Sequence, residues 1–164
     1  MPYWLVKSEP NAFSWAQQAE RGVEPWTGVR THLARRHLAA MRLGDRALFY
    51  HSNVGREVVG VVEVVREAYP DPTAGAGGEG AAKGVGWVAV DVRAVAALPA
   101  PVPLARIKAE PDLAGLELLR QSRLSVSPVS EADWRRILAL GGLPDGLPGS
   151  LSGGSPGDPP GGAA

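Results

Sequence analysis

The run Glu57–Tyr69 reads EVVGVVEVVREAY, with six valines in thirteen residues. β-Branched side chains at that density favour a pleated strand over a helix. A strand this long needs partners, and the chain supplies them at Tyr3–Lys7, Arg46–Ser52, Trp87–Leu98 and Leu124–Val129. Within Arg46–Ser52, Ala47, Phe49 and His51 share one face, while Leu48, Tyr50 and Ser52 share the other. Arg42-Leu43-Gly44-Asp45 and Asn53-Val54-Gly55 read as the turns on either side of that strand. Helices are short. Ser14 and Gln17 have capping-box spacing for Trp15–Arg21, Thr31 can cap a helix to about Met41, and Ser130 with Asp133 opens Glu131–Leu140. Proline-punctuated helices fill Pro103–Leu119. With no regular βαβ alternation, this pattern predicts an α+β fold: a small curved sheet or barrel with short peripheral helices.

A length of 164 residues suits one domain. Two segments fall outside its periodic pattern. From Pro144 to Ala164, twelve of 21 residues are Gly or Pro, too little apolar surface to offset ordering entropy, so residues 1–143 are expected to form the domain and 144–164 a flexible tail. Pro70–Gly86, with six glycines, reads as a long hairpin loop. No internal repeat is visible. The absence of cysteine excludes disulfides, thiolate catalysis, thiolate-bound zinc and iron–sulfur clusters. No apolar run approaches the roughly 20 residues of a membrane helix, and MPYWLVKSEP lacks the basic and apolar regions of a secretory signal. A cytoplasmic protein with no membrane partner is expected.

Seventeen basic and seventeen acidic residues cancel, which argues against non-specific coating of nucleic acid. Locally the balance differs. Arg30, Arg35, Arg36, Arg42, Arg46 and Arg56 are opposed in sequence only by Asp45, and His32, His37 and His51 fall in the same stretch. Such an excess can contact phosphates, or can simply form a solvated face. Five of the ten aromatic residues are tryptophan. Trp87 and Trp134 sit in apolar periodic patterns and read as core. Trp26 lies in VEPWTGVR, a segment without a periodic apolar frame, and is either a stacking plane for a planar ligand or a loop anchor.

Polar residues collect at strand ends: Lys7-Ser8-Glu9, Tyr50-His51-Ser52-Asn53 and Gln121-Ser122-Arg123-Leu124-Ser125. Donors and acceptors so placed can converge on the edge of a heterocycle, although each taken singly also makes turns, caps or ion pairs. Nothing in the spacing favours catalysis. His51 and Ser52 point to opposite faces of a strand, there is no G-x-S-x-G elbow or P-loop, and the three histidines match no metal template. A small nucleoside-directed enzyme using His51 as acid or base, and a module that binds a small anion or metabolite, stay as alternatives.

Several runs, taken in order, are specific. They include YWLVKSEP at 3–10, FSW at 13–15, WTGVR at 26–30, MRLGD at 41–45 and LFYHS at 48–52. GVVEVV at 60–65, AYPDPT at 68–73, WVAVDV at 87–92 and RQSRLSV at 120–126 complete the set. The chain resembles the EVE domain family, within the PUA-like superfamily and related to YTH domains. That resemblance implies a PUA-like mixed β-barrel with short peripheral helices and one concave pocket. It also implies a non-catalytic reader of a modified base, a modified cytosine in DNA ahead of modified or structured RNA. No cofactor and no metal are implied, and the expected state is a monomer. Carried over position by position, the ligand-binding residues would be Lys7, Ser8, Trp26, Arg30, Thr31, Arg35, His51, Ser52, Gln121, Ser122 and Leu124. The family usually has Asn where Thr31 and Arg36 stand; Thr31 keeps a hydroxyl but lacks a two-sided amide, so ligand preference is expected to shift. Arg30, Arg35 and Arg36 are expected to hold flanking phosphates.

Overall fold

In the computed structural model, which describes residues 2–74 and 86–144, the valine-rich run is a long strand in a six-stranded mixed sheet. The strands are β1 (Tyr3–Ser8), β2 (Val23–Trp26), β3 (Arg46–His51), β4 (Glu57–Pro70), β5 (Val88–Pro103) and β6 (Val126–Val129). Their order across the sheet is β2-β5-β4-β3-β1-β6. β1 and β3 run parallel, and every other neighbouring pair is antiparallel. Four register shifts between β4 and β5, and one between β3 and β4 at Phe49/Tyr50, mark bulges or irregular pairing. Bulges bend and twist a strand, which curves the sheet. The helices are α1 (Trp15–Arg21), α2 (His32–Ala40), α3 (Leu104–Ala109), α4 (Glu117–Arg120) and α5 (Glu131–Leu140). None is long and apolar enough to cross a membrane. The tail from Asp145 and most of the glycine-rich loop (75–85) lie outside the described residues.

Period-two alternation divides the interior into two cores. On β1, Trp4 and Val6 enter one and Leu5 the other; on β3, Ala47 and Phe49 part from Leu48 and Tyr50 in the same way. The first core takes Trp26, Met41 and residues of α2; the second takes Ile107, Trp134 and Ile137 from the helices that follow β5. Trp87 and Trp134 are both buried, Trp87 stacked on His32 and Trp134 on Tyr3. A close approach fixes α1. The ring of Trp15 lies so near Gly60 that a Cβ there would stand 2.6 Å from it, and only glycine lets indole and strand backbone meet at that distance.

Two expectations need correction. The segment around Trp26 is not an irregular loop: Val23–Trp26 is an edge strand, paired with β5 from Val23↔Arg93 to Trp26↔Val90. Pro25 is tolerated there because an edge strand bonds on one side only. β5 also continues five residues past Leu98, through Pro99 and Pro101, to Pro103. Thr31 does occupy the N-cap position of α2 with extended backbone, but its hydroxyl makes no capping bond.

Candidate nucleic-acid interface

Three depressions surround the C-terminal end of β1 and share its neighbours. The first, about 360 Å³, has Phe13, Pro25 and Trp26 as apolar walls, with Lys7, Ser8, Gln17, Arg21, Glu24 and Thr27 contributing polar groups. The second, about 610 Å³, is lined by Lys7, Tyr50, Ser52, Asn53, Arg56 and Ser122–Arg123, with Glu9 as its acidic member. A third, about 390 Å³, lies between Thr31–Leu33 and Gln121–Leu124. Lys7 is common to the first two, and Ser122 and Arg123 to the last two. Lys7 Nζ donates to the Ser122 carbonyl at 2.6 Å, 115 residues away in sequence. Burial lowers its pKa from the ordinary lysine value.

The first depression is small, at the low end of the roughly 300–1,000 Å³ typical of ligand pockets. Trp26 is 7% exposed and meets Phe49 edge-on, centroids 5.4 Å apart at 88°. The indole is therefore a wall held from behind by the core, not a freely projecting platform. Its chain is fixed by Asp71. That carboxylate, with no exposed side-chain surface, accepts from Gly28 N at 2.9 Å, Arg30 Nη1 at 2.9 Å, and Thr73 N and Oγ1 at 2.7 Å each. Burial alone would raise the Asp71 pKa. Hydrogen bonds from the Thr73 hydroxyl, Gly28, Arg30 and the Thr73 amide outweigh it and hold the group at about 2. Gly28, at φ 84°, makes the turn that presents its N–H.

His51 acts from outside the depressions. Its Nε2 accepts the Trp15 N–H at 3.0 Å, satisfying a first-turn donor of α1. The neutral imidazole is required for this, and burial, opposed by Glu57, lowers its pKa. His37 is shifted the same way by burial and by Arg36. An unfolded chain protonates histidine near pH 6.5, before either folded group does. Stability from these two is complete above that pH and is lost as pH falls through the lowered folded pKa values. Thermal melts from about pH 8 to pH 5 should show a falling Tm below about pH 6.5; a flat or rising Tm would contradict this role.

The other predicted residues divide as follows. Lys7, Ser8 and Trp26 line the first depression, Ser52 and Ser122 the second, and Thr31, Gln121, Ser122 and Leu124 the third. Arg30 lines none of them. It is ion-paired to Asp71, donates to Thr73 Oγ1 at 3.0 Å, and lies over the Trp87 ring. Arg35 also lines none, and its buried Nε has no hydrogen-bond partner among the described residues. Phe13, Gln17, Arg21, Glu24 and Thr27 also line the first depression, beyond the residues the sequence singles out. FSW at 13–15 and the Ser14/Gln17 capping pair were the available signals for the first two.

Half of the six arginines in that excess are paired in space. Arg30, Arg42 and Arg46 pair with Asp71, Glu67 and Glu63, all on or just after β4. Asp45 instead accepts from Trp4 Nε1 and Arg42 N, each at 3.0 Å. Among the described residues Arg35, Arg36, Arg56 and Arg123 carry no ion pair. Arg56 and Arg123 join Lys7 around the second depression, which is thereby the cationic one. No group of three or more His, Asp or Glu that could hold a metal occurs among the described residues.

Comparison with known proteins gives the following. The EVE domain model matches residues 2–140. Human thymocyte nuclear protein 1 is 31% identical over 172 residues, spanning 84% of this chain and 73% of that protein. A crystal structure of human THYN1 in complex with 5-methylcytosine-containing DNA is similar at TM-score 0.78 and 29% identity, over 88% of this chain and 99% of that one. An NMR structure of a Rhodopseudomonas palustris protein is 51% identical, with TM-score 0.77, over 87% and 94% of the two chains. A YTH domain of Zygosaccharomyces rouxii MRB1, solved with N6-methyladenosine RNA, shares the fold at 18% identity and TM-score 0.50, over 85% and 86% of the two chains.

Proposed function

We propose that this chain, which belongs to the EVE domain family, is a non-catalytic nucleic-acid-binding module that takes a flipped, modified cytosine of DNA into the depression walled by Trp26. The observation that carries the reading is that wall: an indole fixed edge-on against Phe49, facing a space suited to one small heterocycle with polar groups around it. The 5-methylcytosine DNA held by human THYN1 supports the choice of base. Extrusion of a base costs a few kcal/mol. Stacking returns about 1–3 kcal/mol, hydrogen bonds to the base edge add to it, and a methyl in an apolar niche adds on the order of 1 kcal/mol. Selection by one methyl alone should therefore be modest, about tenfold. The reading takes the protein as a cytoplasmic monomer.

Of the arginines the sequence offers for phosphate contacts, Arg35 and Arg36 stay in the reading and Arg30 leaves it. Arg30 is committed to Asp71, whereas Lys7, Arg56 and Arg123 converge beside the base site, with Arg35 and Arg36 on α2. Each phosphate contact made by such a cation steepens the salt dependence of binding. Arg123→Ala should reduce the slope of log affinity against log salt by about 1 and weaken every sequence alike. Titrations of labelled DNA at several salt concentrations, with matched RNA as competitor, test this. Salt-independent affinity would contradict the phosphate track, and RNA displacing DNA at equal concentration would move the reading to RNA.

A further inference from the structure

Two hydrogen-bonding groups at the rim of the first depression have no partner among the described residues. Gln17 Oε1 accepts the Ser14 N–H at 2.8 Å as half of the capping box that opens α1. A backbone N–H only donates, so the oxygen of the amide must face it, and Nε2 is turned away as a donor. No described group receives that donor. Glu24, on edge strand β2, uses Oε2 to accept from Arg21 Nη1 at 3.0 Å, and its Oε1 has no partner among the described residues. The Arg21 guanidinium in turn lies over the Phe13 ring, 5.4 Å from its centroid. Arg21 thus steadies both the aromatic wall and the carboxylate. Gln17, Glu24, Phe13 and Trp26 all line the same space.

We infer that Glu24 and Gln17 form a reading edge that selects an amino-bearing pyrimidine over its oxo counterpart, with Glu24 as the specificity-determining residue. This inference rests on the base-reading function proposed above. Cytosine presents an exocyclic amino donor beside the N3 acceptor. A carboxylate oxygen receives the first and the Gln17 amide supplies the second. Thymine carries the same 5-methyl group as 5-methylcytosine but places a carbonyl oxygen where the amine stands and an N–H at N3. In the same pose it sets oxygen against carboxylate and donor against donor. A site that hydrogen-bonds a substrate group rejects the analogue lacking it more strongly than an apolar niche can reject a methyl. The side chain of Glu24 is 22% exposed, so water relieves part of the mismatch and the selection is expected at about ten- to a hundredfold.

The test compares single-stranded DNA carrying one 5-methylcytosine with the same strand carrying thymine, binding to wild type, Glu24→Gln and Arg21→Ala. Wild type is expected to prefer 5-methylcytosine by ten- to a hundredfold. Glu24→Gln, an isosteric change that keeps an acceptor but can also offer its own donor, should bring the preference to within about threefold while retaining thymine affinity. Arg21→Ala, which frees the carboxylate without removing it, should keep at least half of the wild-type preference on a logarithmic scale. An unchanged preference in Glu24→Gln overturns the role of Glu24 and leaves the base-reading function standing. Failure of wild type to bind either strand overturns both.

Discussion

Trp26→Leu is expected to lower affinity for DNA containing a modified cytosine about tenfold or more, because stacking supplies roughly 1–3 kcal/mol per base. It should also cost stability. Trp26 belongs to the first core and packs edge-on against Phe49, which itself touches Trp15 and His51. Shrinking a buried aromatic to leucine opens a void, and about 2–3 kcal/mol is expected from that. The two effects can be separated by Trp134→Leu. Trp134 is buried in the opposite core, stacked on Tyr3 at 4.4 Å, and its loss should cost comparable stability with no change in binding. Equal affinities for the two variants, measured well below their melting temperatures, would remove the stacking role of Trp26.

Asp71→Ala should be the most damaging single change outside the cores. It leaves Gly28 N and Thr73 N without their acceptor and Arg30 without its counter-charge. Removing one partner of a buried pair costs about 3–5 kcal/mol, and the low end applies because Arg30 is 37% exposed and can turn to water. The turn that follows Trp26 loses its anchor, so affinity should fall together with stability. Asp71→Asn, which keeps an acceptor oxygen, should fall between. Because the Asp71 pKa is depressed, its contribution is present above the unfolded value near 3.8 and is lost only as pH falls toward about 2. It therefore does not confuse the histidine effect near pH 6. A denaturant midpoint that barely moves in Asp71→Ala would show that the carboxylate is not the anchor.

The legible parts of the fold were those written in local chemistry. Ser14 with Gln17 and Ser130 with Asp133 put α1 and α5 at their observed bounds, since a cap is a signal only a few residues long. Alternation in β3 assigned Phe49 and Tyr50 to opposite cores. β2 was not legible: four residues with a proline carry no alternation, and pairing with β5 makes them a strand. The site divides along the same line. Lys7 and Ser8 at the end of β1, and Ser122 in the turn before β6, stand out by composition. The commitment of Arg30 to Asp71, 41 residues away, and the neutralisation of Arg42 and Arg46 by β4 could not be seen before the strands were in register. His51 stands out in the sequence for its chemistry, yet its observed bond is to the first turn of α1.

If one modified cytosine is held in the Trp26 depression, methylation of that base changes affinity through the indole wall. The measurement is fluorescence anisotropy of a labelled duplex carrying a single 5-methylcytosine, against the same duplex unmodified, with wild type and Trp26→Leu. Wild type should bind saturably, about tenfold tighter to the methylated duplex, and that margin should collapse in Trp26→Leu. Equal affinity of wild type for both duplexes, or a margin that survives in Trp26→Leu, would contradict that placement of the base.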